Sequence, residues 1–136
     1  MMLTLVSCLN VNYNARVVRA CWNETKYDQI GDIFTIETYE EYNEITENSS
    51  IYEFNKSKYK ESYFKNKVLV VVYIDNGSSS DYYRIKKVDL NNGTLEVEVK
   101  HSTSENMLCD VVTWNVILEM SKDEMGKIVD TNIVMN

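Results

Sequence analysis

Residues 67–74 constrain the fold more than any other stretch of this chain, because Val68, Leu69, Val70, Val71, Val72 and Ile74 leave almost no polar position among them. A strand with one wet face alternates in polarity. A run that does not alternate needs cover on both faces, as the central strand of a layered sheet has. Residues 75–81 (Asp75, Asn76, Gly77, Ser78, Ser79, Ser80, Asp81) then interrupt the run with turn chemistry, and residues 82–88 resume it. Asn91, Asn92 and Gly93 turn the chain again. Beyond them Leu95, Val97 and Val99 alternate with Glu96, Glu98 and Lys100, which puts one face inside and one in water. After a further polar loop, residues 111–120 place Trp114, Val116, Leu118 and Met120 on one face. Ile117 falls on the other, beside Thr113, Asn115 and Glu119. Extended runs joined by turns predict an antiparallel meander, with Asn76-Gly77 and Asn92-Gly93 supplying the positive φ of tight hairpins.

The remainder reads as follows. Residues 11–22 form an early strand in which Tyr13, Ala15 and Val17 share one phase and Val18, Ala20 and Trp22 the other. A bulge or twist is therefore expected near Val17 and Val18. Gly31 turns the chain into a short extended piece at residues 33–36. Thr38 opens the one helix: with Glu41 three residues on it forms a capping box, and Glu37, Glu40 and Glu41 suit the positive end of the helix dipole. Tyr39, Tyr42 and Ile45 give it a narrow apolar stripe. Residues 48–63 are polar and unpatterned, a long loop with a short extended turn at 51–54. Residues 121–127 read as a polar turn around Gly126, and residues 128–135 as a closing edge strand. The expected fold is mostly β (α+β by count), an antiparallel β-sandwich-like meander of about six strands with one packed helix near 38–48. At 136 residues the chain is one domain's worth, assigned to residues 11–136, with residues 1–10 set apart.

Charge limits the partners. The formal net charge is −7 and no lysine or arginine stripe offsets it. Phosphate backbones and anionic membrane surfaces are repelled, so nucleic acid is excluded and a membrane is reached only through a lipid. Leu5, Val6, Ser7 and Cys8 have the form of a bacterial lipobox, without the basic segment and longer apolar run of a full signal peptide. Two readings stand: a truncated lipoprotein signal with Cys8 lipidated, or a short first strand with Cys8 buried. The three cysteines, Cys8, Cys21 and Cys109, have no metal spacing, and the single His101 completes no Cys/His cluster. Cys21 and Cys109 either pair in an oxidising compartment or remain free as small buried residues.

Chemistry is sparse. His101, followed by Ser102, Thr103 and Ser104, reads as an exposed strand-end histidine rather than half of a catalytic couple. Gly77 to Ser80 lacks the lysine, the further glycines and the helix start of a phosphate cradle. Asp75 and Asp81 bracket the turn without the ligand count that Ca²⁺ needs. No catalytic residue, metal or cofactor is expected. The candidate binding residues are Asp75, Asn76, Gly77, Ser78, Asp81, Tyr82 and Tyr83, with the loop at 102–106 second. Loops at one end of a sandwich carry recognition, and tyrosine offers contact area at low entropic cost. Cross-strand packing is the alternative use of those tyrosines.

From about Arg16 onward the chain resembles the PrcB-like family of small bacterial envelope proteins, named for a subunit of a spirochaete surface protease complex. Residues 34–42 (Phe34 to Tyr42) resemble its strand-into-helix start, and residues 63–71 (Tyr63 to Val71) its aromatic-led apolar strand. The Gly/Ser turn at 77–80 and the final run at 109–119 complete the likeness. The turn departs from the family, which carries a second glycine and an aromatic where this chain has Ser79 and Ser80. The resemblance implies an accessory or protein-binding role at the cell envelope and no catalytic residues. The expected function is thus a non-enzymatic, extracytoplasmic module that binds or stabilises another protein, anchored through Cys8 if at all. The alternatives are a protease-inhibitor-like sandwich and a small-ligand-binding domain. A cytoplasmic location is the alternative if Cys8 is a strand residue.

Overall fold

Among the described residues eight strands pair into two sheets. The structure is a computed structural model and describes residues 13–22, 29–47, 49–51, 58–78, 80–104 and 112–136. Residues 1–10 with Cys8, Ser79, Cys109, residues 52–54 and residues 105–106 lie outside them, as does the side chain of Cys21. The elements in chain order are β1 (Asn14–Trp22), β2 (Ile33–Ile36), α1 (Tyr39–Glu47), β3 (Ser49–Ile51) and a 3₁₀ turn at Tyr63–Lys65. They continue with β4 (Lys67–Gly77), β5 (Asp81–Asn91), β6 (Thr94–Thr103), β7 (Val112–Ser121), α2 (Lys122–Met125) and β8 (Asp130–Met135).

One sheet has the order β2-β4-β7-β1-β3 and the other β5-β6-β8. The fold is mostly β and sandwich-like. Val68, Val70, Val72 and Ile74 of β4 and Val116 and Leu118 of β7 meet Val88, Leu95, Val97 and Val99 of the second sheet in the core between the layers. Each such side chain contributes about 1.5–3 kcal/mol by leaving water. The odd-phase residues of the same strands, Leu69, Val71 and Ile117, join Val18, Ile36, Tyr42, Tyr59 and Phe64 in a second core on the far face. β4 is therefore covered on both sides, as its unbroken apolar run requires.

The connectivity is not a simple meander. β4 pairs with β7, while β5 opens the other sheet and pairs with β6. Alternation specifies which face is buried but not which strand lies alongside, so consecutive strands separate into layers. Among the described residues there are eight strands rather than about six, and β8 is the edge strand read at 128–135 but lies parallel to β6. The expected bulge in β1 is absent: its pairing with β7 runs unbroken from Asn14 opposite Glu119 to Ala20 opposite Thr113. The change of phase instead reflects two cores. Tyr13, Ala15 and Val17 pack between the sheets, and Val18 packs on the outer side.

Local signals fare better. The Thr38 hydroxyl accepts the Glu41 N–H at 3.1 Å, which caps α1 at its start. Tyr42, at mid-stripe, is buried. Gly31 (φ 97°), Asn92 (φ 52°) and Gly93 (φ 85°) take the left-handed backbone their turns require. The polar turn at 121–127 holds a helical turn whose cap repeats the first one: Ser121 accepts the Glu124 N–H at 3.2 Å. The stretch read as a loop at 48–63 contributes β3 and a core anchor, Tyr59. The Tyr59 ring stands edge-on to Tyr63 at 5.0 Å and to Tyr42 at 5.6 Å. Its hydroxyl donates to Glu119 at 2.9 Å, where Lys58 Nζ also sits, 2.6 Å away.

Candidate functional site

Gly77 to Asp81, a hairpin turn by its local chemistry, is instead a corner. There the chain leaves the five-stranded sheet at the end of β4 and enters the three-stranded one at β5. Gly77 does not have a positive φ. Its role is close approach: a Cβ there would stand 2.5 Å from Asp81 Oδ2, inside any allowed contact.

Asp81 ties the corner together. Its Oδ2 accepts the Ser78 N–H at 2.8 Å, while Oδ1 lies 2.9 Å from His101 Nε2 and takes the Thr103 hydroxyl at 3.3 Å. The hydrogen bond from His101, and then the one from the Ser78 amide, hold the Asp81 carboxyl below its ordinary range. The hydroxyls of Ser78 and Ser80 are 2.8 Å apart, and Ser78 Oγ accepts the Ser80 N–H at 3.1 Å. The Trp114 indole N–H closes the corner from the core side by donating to the Ser78 carbonyl at 3.1 Å. The Ser80 carbonyl receives the Ser104 N–H at 3.1 Å, which joins the corner to the end of β6.

Behind this frame lies an aromatic stack. Tyr83 is parallel to His101, with centroids 4.7 Å apart, and tilts against Trp114 at 5.1 Å. Its hydroxyl donates to Asp75 Oδ2. Burial first, and then that carboxylate, push the Tyr83 phenol well above its ordinary value. Arg19 adds a cation to the stack, its guanidinium carbon 5.9 Å from the centroid of the Trp114 ring. Tyr82 points the opposite way and is 61% exposed.

The predicted site residues therefore divide. Asp75, Gly77, Ser78, Asp81 and Tyr83 come together as a braced frame, with Asn76 exposed at its margin and Tyr82 standing out from it. His101, an exposed strand-end residue by sequence, is half-buried and bonded into the frame, because it continues the inward phase of Leu95, Val97 and Val99. That phase is the signal that sequence reading missed. Trp114 and Arg19 were also missed, since their roles depend on which strands meet at this end. Of the second loop, Ser102 and Thr103 are exposed at the end of β6.

Chemically the frame is a set of satisfied polar groups. Asp81 and His101 are paired, yet among the described residues no hydroxyl or thiol is hydrogen-bonded to His101. The pair braces a backbone turn. The space between the sheets, where a small ligand would have to sit, is filled by Val70, Val72, Leu95, Val97, Val116 and Leu118. Beside this frame one tyrosine, Tyr82, stands exposed. Set against family models, curated proteins and solved structures, the chain matches none of them.

Proposed function

We propose that the chain is a non-enzymatic protein-binding module of the bacterial envelope, and that the corner at residues 77–81 with Tyr82 is its contact surface. The observation that carries this is the contrast between adjacent tyrosines. Tyr83 is locked in the core while Tyr82, one residue away on a braced strand start, is 61% exposed. A large aromatic side chain on a pre-ordered backbone loses little entropy on docking, which is what binding hot spots exploit. The placement at the envelope rests on the lipobox form of residues 5–8 and on the resemblance of residues 34–42 and 63–71 to PrcB-like proteins.

Affinity capture from the native envelope tests both parts. A stoichiometric partner retained by the native chain and lost with Tyr82→Ala is expected, with Cys8 acylated by mass spectrometry. An unmodified Cys8 on a soluble chain overturns the envelope part. No partner for the native chain overturns the binding part.

A second reading is favoured by one feature of the corner. The backbone groups of Ser78 and Ser80 are all held: Ser78 N–H by Asp81, its carbonyl by Trp114, Ser80 N–H by Ser78 Oγ and its carbonyl by Ser104. A loop braced in this way resists distortion, as protease-inhibiting loops must. Inhibition of a member of a protease panel that is lost with Asp81→Ala supports it, and no inhibition of any member removes it.

A further inference from the structure

The outer face of the three-stranded sheet divides into two electrostatically different halves. In one half the carboxylates of β6 have their cations. Lys87 Nζ lies 2.9 Å from Glu96 and Lys86 Nζ 3.5 Å from Glu98. The side-chain amides of Asn132 and Asn136 donate to the same two carboxylates, at 3.5 and 2.9 Å. The other half begins where Arg84 stands directly opposite Lys100 in the β5–β6 register, with Tyr82 opposite Ser102 beside them. Inward Tyr83 and Val99 fix the outward phase of these four residues, and all four are exposed. Among the described residues neither Arg84 nor Lys100 has a carboxylate within ion-pair distance.

Like charges directly opposed on an antiparallel pair repel, so this arrangement works against the stability of the sheet. It does so in a chain with net charge −7, where carboxylates to neutralise it are abundant. The nearest on the face, Glu96 and Glu98, are instead held by Lys86, Lys87 and the two asparagines.

We infer that this half-face docks an acidic segment of a partner protein, with carboxylates bridging Arg84 and Lys100 and the partner's chain lying against the Tyr82 ring. A guanidinium takes a carboxylate through paired N–H donors, the ammonium opposite supplies a second charge, and Ser102 offers a hydroxyl. Two cations in an acidic surround are too few to hold a polyphosphate, because their attraction for it is outweighed by repulsion from the rest of the surface. An aromatic next to an arginine is the composition of a protein contact. This inference rests on the protein-binding reading above and specifies the chemistry of the partner.

The test is a titration of the isotope-labelled full chain with an oligoglutamate peptide, followed by amide chemical shifts. An oligonucleotide and anionic vesicles serve as competing probes. Shifts centred on Tyr82, Arg84, Lys100 and Ser102 and weakened by added salt are expected. Arg84→Gln with Lys100→Gln lowers affinity by about tenfold or more, the scale of lost charge-assisted hydrogen bonds. Lys100→Glu abolishes binding while leaving the melting temperature unchanged or higher, since it converts the opposed cations into an ion pair. A residue kept for stability would not behave so. Absent shifts, shifts centred elsewhere, equal affinity of the variants, or tighter binding of either competing probe overturns the inference. Such a failure leaves the protein-binding reading intact, because envelope capture with Tyr82→Ala tests that one separately.

Discussion

Tyrosine is used in opposite ways at two places in this molecule. On the outer side of the five-stranded sheet, Tyr42 of α1 joins Tyr59, Tyr63 and Phe64 in a cluster of edge-on and tilted rings. Tyr59 turns its hydroxyl to Glu119, and Arg16 spreads over its ring at 5.5 Å. At the corner, Tyr83 makes similar contacts with His101, Trp114 and Asp75, but its neighbour Tyr82 is left in water. Each region ties one buried phenol to a carboxylate, Tyr59 to Glu119 and Tyr83 to Asp75. The difference is in what stands beside them. In the first, Tyr42 comes from α1 and the ring stacked on it, Tyr39, is 37% exposed, whereas at the corner Tyr82 is 61% exposed, so the corner carries the more exposed ring.

That contrast can be broken most severely on the covered side. Tyr59→Ala removes a ring that is 1% exposed together with its bond to Glu119, and is expected to cost about 3–5 kcal/mol in urea unfolding. A cost below about 1 kcal/mol would mean that the covered cluster is no core at all. Next comes Gly77→Ala, whose Cβ would sit 2.5 Å from Asp81 Oδ2. The carboxylate must move and release Ser78 or His101, at about 1–3 kcal/mol, measured the same way.

The corner's dependence on acid follows from the lowered Asp81 carboxyl. A carboxyl whose folded pKa is depressed leaves the unfolded chain binding more protons, so stability rises with pH. Its contribution is complete above the unfolded value, near 3.8, and is lost as pH falls through the lower folded value. Thermal melts of the native chain and of Asp81→Asn should therefore differ above about pH 4 and converge below it. A difference that stayed constant into strong acid would show that the charge is not what braces the corner. The smallest effect belongs to Tyr82→Ala, expected within about 0.5 kcal/mol of the native chain because the ring covers little of the protein. A larger loss would make Tyr82 a packing residue and erase the contrast with Tyr59.

Much of this is readable from the sequence, and the limits have physical causes. The faces of β4, β6 and β7 are legible because side chains alternate strictly along a strand, and Thr38 with Glu41 announces α1 because capping is local. Partnership between strands is not legible: Val72 pairs with Val116 rather than with a residue of β5, and nothing in either run encodes that choice. The corner reads as a hairpin because Asn76-Gly77 carries the right local chemistry for one. Tyr59 is hidden in a polar stretch without period, where a single anchoring side chain leaves no pattern. His101 is readable in principle, two residues beyond Val99 on the same face.

The separation of β4 from β7 bears on how the chain comes together in time. β5 and β6 meet through a short turn at Asn92 and Gly93, a local event of about 1–10 μs for a hairpin. The central pairing of the larger sheet must wait until that whole hairpin has been looped out between its two strands, an entropic delay that slows folding. During the interval Leu95, Val97 and Val99 have no opposite layer. The hairpin that forms first is thus the part most in need of shelter while the rest is still arriving.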